Sequence, residues 1–253
     1  MHDMFLDDIL KKEDFLSKIR QEIVKYVDKR KECVIMDKKI SGNENNKIVR
    51  VIPLFKRDKR VVCMCKPISN IRGKSAQELL ALGGQSDAIP VDLKALLNKL
   101  NISCMAFDFT SLDEAREKEG LSGSGDAILG ALVTNGNNAV IFYRIQDQEE
   151  GHRYRFTIAH ELAHACLDHY EIGEASIHLA YRSEKLANDR KEYDANVFAG
   201  QLLIPRSALE RVLGELIQPT VEVLASIFAV SENVMVARLK HLEIFDKVKT
   251  SNC

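Results

Sequence analysis

Phe15, Leu16, Ile19, Ile23 and Val27 recur at helical spacing among lysines, arginines and glutamates. That pattern predicts an amphipathic helix over about residues 5–30, whose apolar stripe needs a surface to cover it. Further on the period shortens. ECVIMD, KIVRVIPLF and RVVCMC are apolar runs of strand length, the last two separated by the charged KRDK, which predicts short strands and a hairpin. Ser69 to Gln85 carries Gly73, Gly83 and Gly84 and reads as a linker. Residues 1–85 are therefore expected to be an N-terminal α+β extension, to which the pattern assigns no role.

From Ile89, PVDLKALLNKL predicts a helix with Pro90 in its first turn, and SCMAFDF a strand after it. LSGSGD is a loop. GALVTNGNNAVIFYRI places Asn135-Gly136 between two apolar runs, a hairpin signal because both residues tolerate the positive φ of a tight turn. Leu186 to Leu203 is helical in period and ends before Pro205, and SALERVLGEL and TVEVLASIFAVSENVMVARLKHL predict three more short helices.

Composition narrows the class. The 253 residues are 45% hydrophobic and 29% charged, with a formal net charge of −1, which describes a globular chain with no global field for nucleic acid or an anionic membrane. No apolar stretch reaches bilayer length, and the opening MHDMFLDDILKKEDF puts acidic residues where a signal peptide is basic, so a cytoplasmic location is expected. The six cysteines, at 33, 63, 65, 104, 166 and 253, lack the dense spacing of a disulfide framework. Cys63-Met-Cys65 could chelate a metal with a third partner, but alternation along a strand explains it more simply.

The chemistry concentrates in RFTIAHELAHACLDHY, residues 155–170. On a helix, positions i and i+4 share a face, so His160 and His164 can direct imidazole nitrogens at one metal ion. Glu161 is rotated by about 100° from His160, near enough to serve as a base toward a water without being a ligand. That set suits amide hydrolysis, in which a metal polarises the carbonyl and a carboxylate moves the proton. A coincidental surface helix would not be flanked by Phe156, Ile158, Ala159, Leu162, Ala163, Ala165, Cys166 and Leu167. Polar residues inside so apolar a helix need a reason.

A third ligand is expected. KEYDANVFAGQLLIP offers Glu192 and Asp194. Glu192, Ala195, Asn196, Ala199 and Leu203 lie on one helical stripe, whose alanines permit close approach to the histidine helix, whereas Asp194 points elsewhere. Glu192, 28 residues beyond His164, is the predicted ligand.

R-F-T-I-A-H-E-L-A-H at 155–164 followed by E-x-x-A-N-x-F-A-x-x-L-L-I-P at 192–205 closely resembles the ImmA/IrrE-type metallopeptidases, over about residues 86–245. The resemblance implies an α+β fold, with a zincin-like helical core, a small sheet or hairpin, the N-terminal extension and a C-terminal helical segment. It makes residues 86–253 a metallopeptidase domain whose segment 206–245 is helix-turn-helix-like. It also implies Zn2+ held by His160, His164 and Glu192, with Glu161 as general base. The substrate would be a protein, a helix-turn-helix repressor encoded nearby, whose cleavage relieves repression of mobile-element or stress-response genes. Ala163 stands where the family often has glycine, and Asp168-His169 departs from its frequent leucine-histidine ending.

The competing reading is a regulatory protein- or DNA-binding module with a structural or inactive zinc site. Thr220 to Lys247 resembles a helix-turn-helix, yet Arg238, Lys240 and Lys247 are outweighed by Glu222, Glu232, Glu243 and Asp246. That balance disfavours direct DNA binding. His178, Tyr181 and Tyr193 are candidates to stabilise an oxyanion or simply surface polar residues. Arg153 and Arg155 are expected to be solvated, and Cys33, Cys104 and Cys166 to be packing residues.

Overall fold

A computed structural model of the chain describes residues 17–18, 21–22, 70–118, 120, 127–134, 139–148, 152–169, 176–181 and 190–248. The four described residues of the predicted 5–30 helix are helical. Outside the described residues lie the strands predicted between 33 and 65, Cys63, Cys65, the LSGSGD loop and residues 186–189.

The first long stretch of structure stands where the glycines suggest a linker. Ser75 and Glu78 cap each other: the Ser75 hydroxyl accepts the Glu78 N–H at 3.3 Å and the Glu78 carboxylate accepts the Ser75 N–H at 2.8 Å. This box starts α1 (Ala76–Gly83), which Gly84 ends in the left-handed conformation at φ 66°. A Cβ on Gly83 would lie 2.3 Å from Leu96 Cδ1, so this glycine lets α1 touch the next helix. Leu79 and Leu80 enter the main core. The glycines therefore close and pack a helix rather than loosen the chain.

The next helix, α2 (Leu93–Leu100), begins later than Pro90 because the Asp92 carboxylate accepts the Ala95 N–H at 3.0 Å. It leads into β1 (Ser103–Phe107), α3 (Thr110–Lys118), β2 (Ile128–Thr134) and β3 (Ala139–Arg144). The predicted hairpin forms: β2 and β3 pair antiparallel with Thr134 opposite Ala139, while the turn residues Asn135 and Gly136 lie outside the described residues. Then come α4 (Arg153–Cys166), β4 (Ser176–Tyr181) and α5 (Arg190–Leu203). Three short helices follow as predicted, α6 (Arg206–Glu215), α7 (Val221–Phe228) and α8 (Glu232–His241).

The fold is α+β, as the sequence predicts. Its four-stranded sheet has the order β1-β3-β2-β4, with β1 parallel to β3, the other pairs antiparallel and β4 at an edge. Helix α4 lies across β2 and β3. The two come close at Gly130, where a Cβ would sit 2.4 Å from Thr157 Cγ2 and 2.8 Å from the Phe142 carbonyl oxygen. Only glycine lets the strand come so near the helix. On its other side α4 packs on α5, and Ala159, Ala163, Ala195 and Ala199 of these two helices are fully buried.

Arg155 ties the C-terminal helices to this centre. Its Nε–H donates to Ala229 O at 3.0 Å and its Nη2 to Val91 O at 2.8 Å. The sequence places Arg153 and Arg155 at a solvated strand end; in the fold both belong to the first turn of α4, and Arg153 pairs with Asp147 at 3.5 Å. Cys104 and Cys166 are free thiols, Cys166 buried and Cys104 half-buried. Burial pushes Cys104 up to about 12 and Cys166 higher still, so both stay protonated. No helix among the described residues is long and apolar enough to cross a membrane.

Candidate metal centre

Because α4 is covered by the sheet on one side and by α5 on the other, its polar residues have no water to turn to. His160, Glu161 and His164 are 6%, 0% and 1% exposed. Buried polar groups need partners, and here the partners are each other. The Nε2 atoms of His160 and His164 stand 3.0 Å apart. Glu192, in the first turn of α5, brings Oε2 to 3.2 Å from His160 Nε2 and Oε1 to 3.4 Å from His164 Nε2. The ligand-type atoms of these three residues all lie within 4.8 Å of one another.

The other ring nitrogens are also engaged. Asn196, one turn after Glu192, sets its Oδ1 2.9 Å from His160 Nδ1. An amide oxygen only accepts, so His160 carries a proton on Nδ1 and turns Nε2 toward the other donors. His169 Nδ1 lies 3.1 Å from His164 Nδ1, so the Nε2 of His164 is likewise the nitrogen that faces the cluster. Burial drives His164 down to about 4, against the opposing pull of Glu192, so it is neutral. Two imidazole Nε2 atoms and a carboxylate thus converge on one point. Imidazole plus carboxylate is a donor set for a divalent transition ion. The residues fit a metal.

Asp194, the other carboxylate on this helix, is 43% exposed, pairs with Arg190 at 3.7 Å and is not among the convergent donors. The helical-stripe argument and the coordinates agree on which carboxylate faces α4.

Glu161 stands beside this set. Its Oε2 meets His178 Nδ1 at 3.2 Å, and its Oε1, fully buried, has no hydrogen-bond partner among the described residues. A buried carboxylate oxygen left open is costly, and here the His178 ring that holds the other oxygen also meets Glu192.

His178 is the residue the sequence undervalued. It was one of three candidates for an oxyanion donor, yet the structure sets it against both carboxylates: Nδ1 on Glu161 and Nε2 on Glu192 Oε1 at 3.0 Å. Its ring stacks on His164 at 3.8 Å between centroids. It gets there because β4 pairs with β2, placing His178 opposite Leu132. Burial opposes its charge, but the bonds to Glu161 and Glu192 push it up to about 10. Burial would likewise raise Glu192, yet three imidazoles hold it well below the usual carboxylate range. Tyr193 is 56% exposed, and the Tyr181 side chain lies outside the described residues.

His169 was equally hard to foresee. It follows the helix C-terminus after Asp168, which adopts φ 55°, and its backbone N–H returns to His164 O at 3.2 Å. This left-handed turn carries the ring back to His164. Asn196 had a readable signal, since it lies on the Glu192 stripe, but nothing in the period said which atom it would meet.

Residues 129–240 match the family model of the IrrE N-terminal-like domain, Peptidase_M78. The match covers the hairpin, all of the residues just described and the C-terminal helices through most of α8. No curated protein and no solved structure matches the chain.

Proposed function

With the match of residues 129–240 to the IrrE N-terminal-like domain model, Peptidase_M78, as premise, we propose that the chain is a zinc-dependent endopeptidase of narrow specificity. In this reading it cleaves a helix-turn-helix transcriptional repressor encoded nearby, in the cytoplasm, and so relieves repression. The observation that carries the peptidase reading is the fully buried Glu161, with one carboxylate oxygen open, beside three convergent donors. A structural site has no use for such a carboxylate.

His160, His164 and Glu192 would hold the metal, which when bound supplies the Lewis acidity that polarises an amide carbonyl and acidifies a water. The remaining work belongs to the protein. Glu161 Oε1 takes a proton from the attacking water and returns it to the leaving nitrogen. His178 fixes the other Glu161 oxygen, so that the free one keeps its aim. Asn196 and His169 hold the two ligand imidazoles in the tautomer that presents Nε2. The sheet and α5 exclude bulk water, which strengthens each of these charge interactions.

The catalytic unit of this reading is residues 86–253 with α1 added to its core, and residues 206–245 recognise protein. Arg238, one of the few cations of the C-terminal helices, is 7% exposed and donates its Nε–H to Ile204 O at 3.1 Å. A residue so placed gives DNA no footprint. The decisive experiment incubates the zinc-loaded protein with the repressor-like product of the neighbouring gene. Cleavage that Glu161→Gln abolishes supports the proposal. An intact repressor with wild-type, metal-replete protein overturns the substrate assignment.

A further inference from the structure

Beside the metal centre, between α5 and α8, lies a cavity of about 370 Å³. Its walls are Phe156 from α4, Val197 and Gly200 from α5, and Val234, Ala237 and Arg238 from α8. The lining is dominated by carbon, and Tyr193, a large and exposed aromatic, also lines it. The cavity adjoins the centre at two residues that touch His160. Asn196 lines it and also bonds His160. Phe156 stands one helical turn before His160, their ring centroids 6.3 Å apart.

We infer that this cavity is the specificity pocket of the peptidase, and that it receives one large aliphatic or aromatic side chain of the polypeptide substrate adjoining the bond to be cut. The inference rests on the peptidase reading and deepens it. Size limits the occupant: the volume is at the small end of the roughly 300–1,000 Å³ typical of ligand pockets, enough for a side chain and far too little for a helix. Chemistry limits it further. The one buried cation on the wall, Arg238, spends its Nε–H on Ile204 O, and although Asn196, Asn233 and His241 also line the cavity, its surface is mostly carbon. At Gly200 a Cβ would find only Arg238 Cδ, at 3.7 Å, so the missing side chain adds to the depth of the pocket. The inference also gives α8 a task. This helix forms one wall of the substrate site, which makes the C-terminal segment part of cleavage specificity.

The probes that test this are the N-acetyl hydroxamates of glycine, leucine and phenylalanine, titrated calorimetrically into the full-length, zinc-loaded protein. The hydroxamate reports on the metal and the side chain on the pocket. Burying a leucine-sized side chain implies at least about tenfold tighter binding of the leucine and phenylalanine probes than of the glycine probe. Ala237→Trp, or Val197→Trp from the opposite wall, fills the cavity and should collapse the three affinities to that of the glycine probe, with zinc content unchanged. Equal affinities in the wild type, or retained zinc with no hydroxamate bound, overturn the pocket while leaving the metal centre standing. Loss of both zinc and hydroxamate binding overturns the centre and the pocket together.

Discussion

Two helix pairs of this protein use their polar side chains to opposite ends. In α4 and α5, the residues His160, Glu161, His164, Glu192 and Asn196 face one another, and one oxygen of Glu161 is left open. In α7 and α8, the cap residues Thr220 and Ser231 each accept a backbone N–H, and Arg238 donates to a backbone carbonyl. The second pair spends its polarity on the main chain, which makes a rigid wall. The first leaves donors converging on a point, which makes a reactive centre. Buried polarity is thus evidence of chemistry only when it is not used up by the backbone.

The comparison breaks most sharply at Glu161. Glu161→Gln keeps the shape but not the proton acceptor, and we expect a rate loss of about a hundredfold to ten-thousandfold with metal content unchanged. His160→Ala or His164→Ala should instead abolish metal retention. Unchanged occupancy in both variants, measured by metal analysis, would refute the centre.

Asn196 sharpens the comparison by separating orientation from ligation. Asn196→Ala should weaken metal affinity by roughly ten- to a hundredfold, the usual cost of removing the partner that fixes a ligand imidazole. Asp194→Ala, on the same helix but turned away, should leave affinity alone. Competition with a chromophoric chelator distinguishes the two, and the reverse ranking would show that the wrong carboxylate was assigned.

Gly130→Ala tests the floor of the first pair. The new methyl group collides with Thr157 and the Phe142 carbonyl, and overpacking of this kind costs roughly 1–3 kcal/mol. Chemical denaturation should register that loss, with reduced metal affinity as α4 is displaced. Ser231→Ala in the second pair should cost about 1 kcal/mol through the lost cap and leave metal affinity untouched.

The smallest expected effect is on DNA. With Arg238 buried, duplex binding should be weak and unspecific, and replacing Arg238 and Lys240 should hardly change it. A sequence-specific duplex complex lost in that double variant would restore the binding-module reading.

Local geometry was legible from the residues alone. The i, i+4 spacing of His160 and His164, the stripe that chooses Glu192 over Asp194, and the hairpin across Asn135-Gly136 all follow from a period or a turn. These are properties of a few consecutive residues, so a helix or strand dictates them before the chain folds. The Ser75-x-x-Glu78 box and Gly84 were equally local, and the glycines nonetheless misdirected the reading, because a glycine at a helix end and a glycine in a linker look alike without the box. The tertiary structure decided the rest: His178 reaches Glu161 only through the β2–β4 pairing, His169 returns to His164 through one left-handed residue, and Arg238 turns inward to Ile204. Each of these joins elements whose relative placement depends on the whole core, and no period along the chain encodes a distance between two elements.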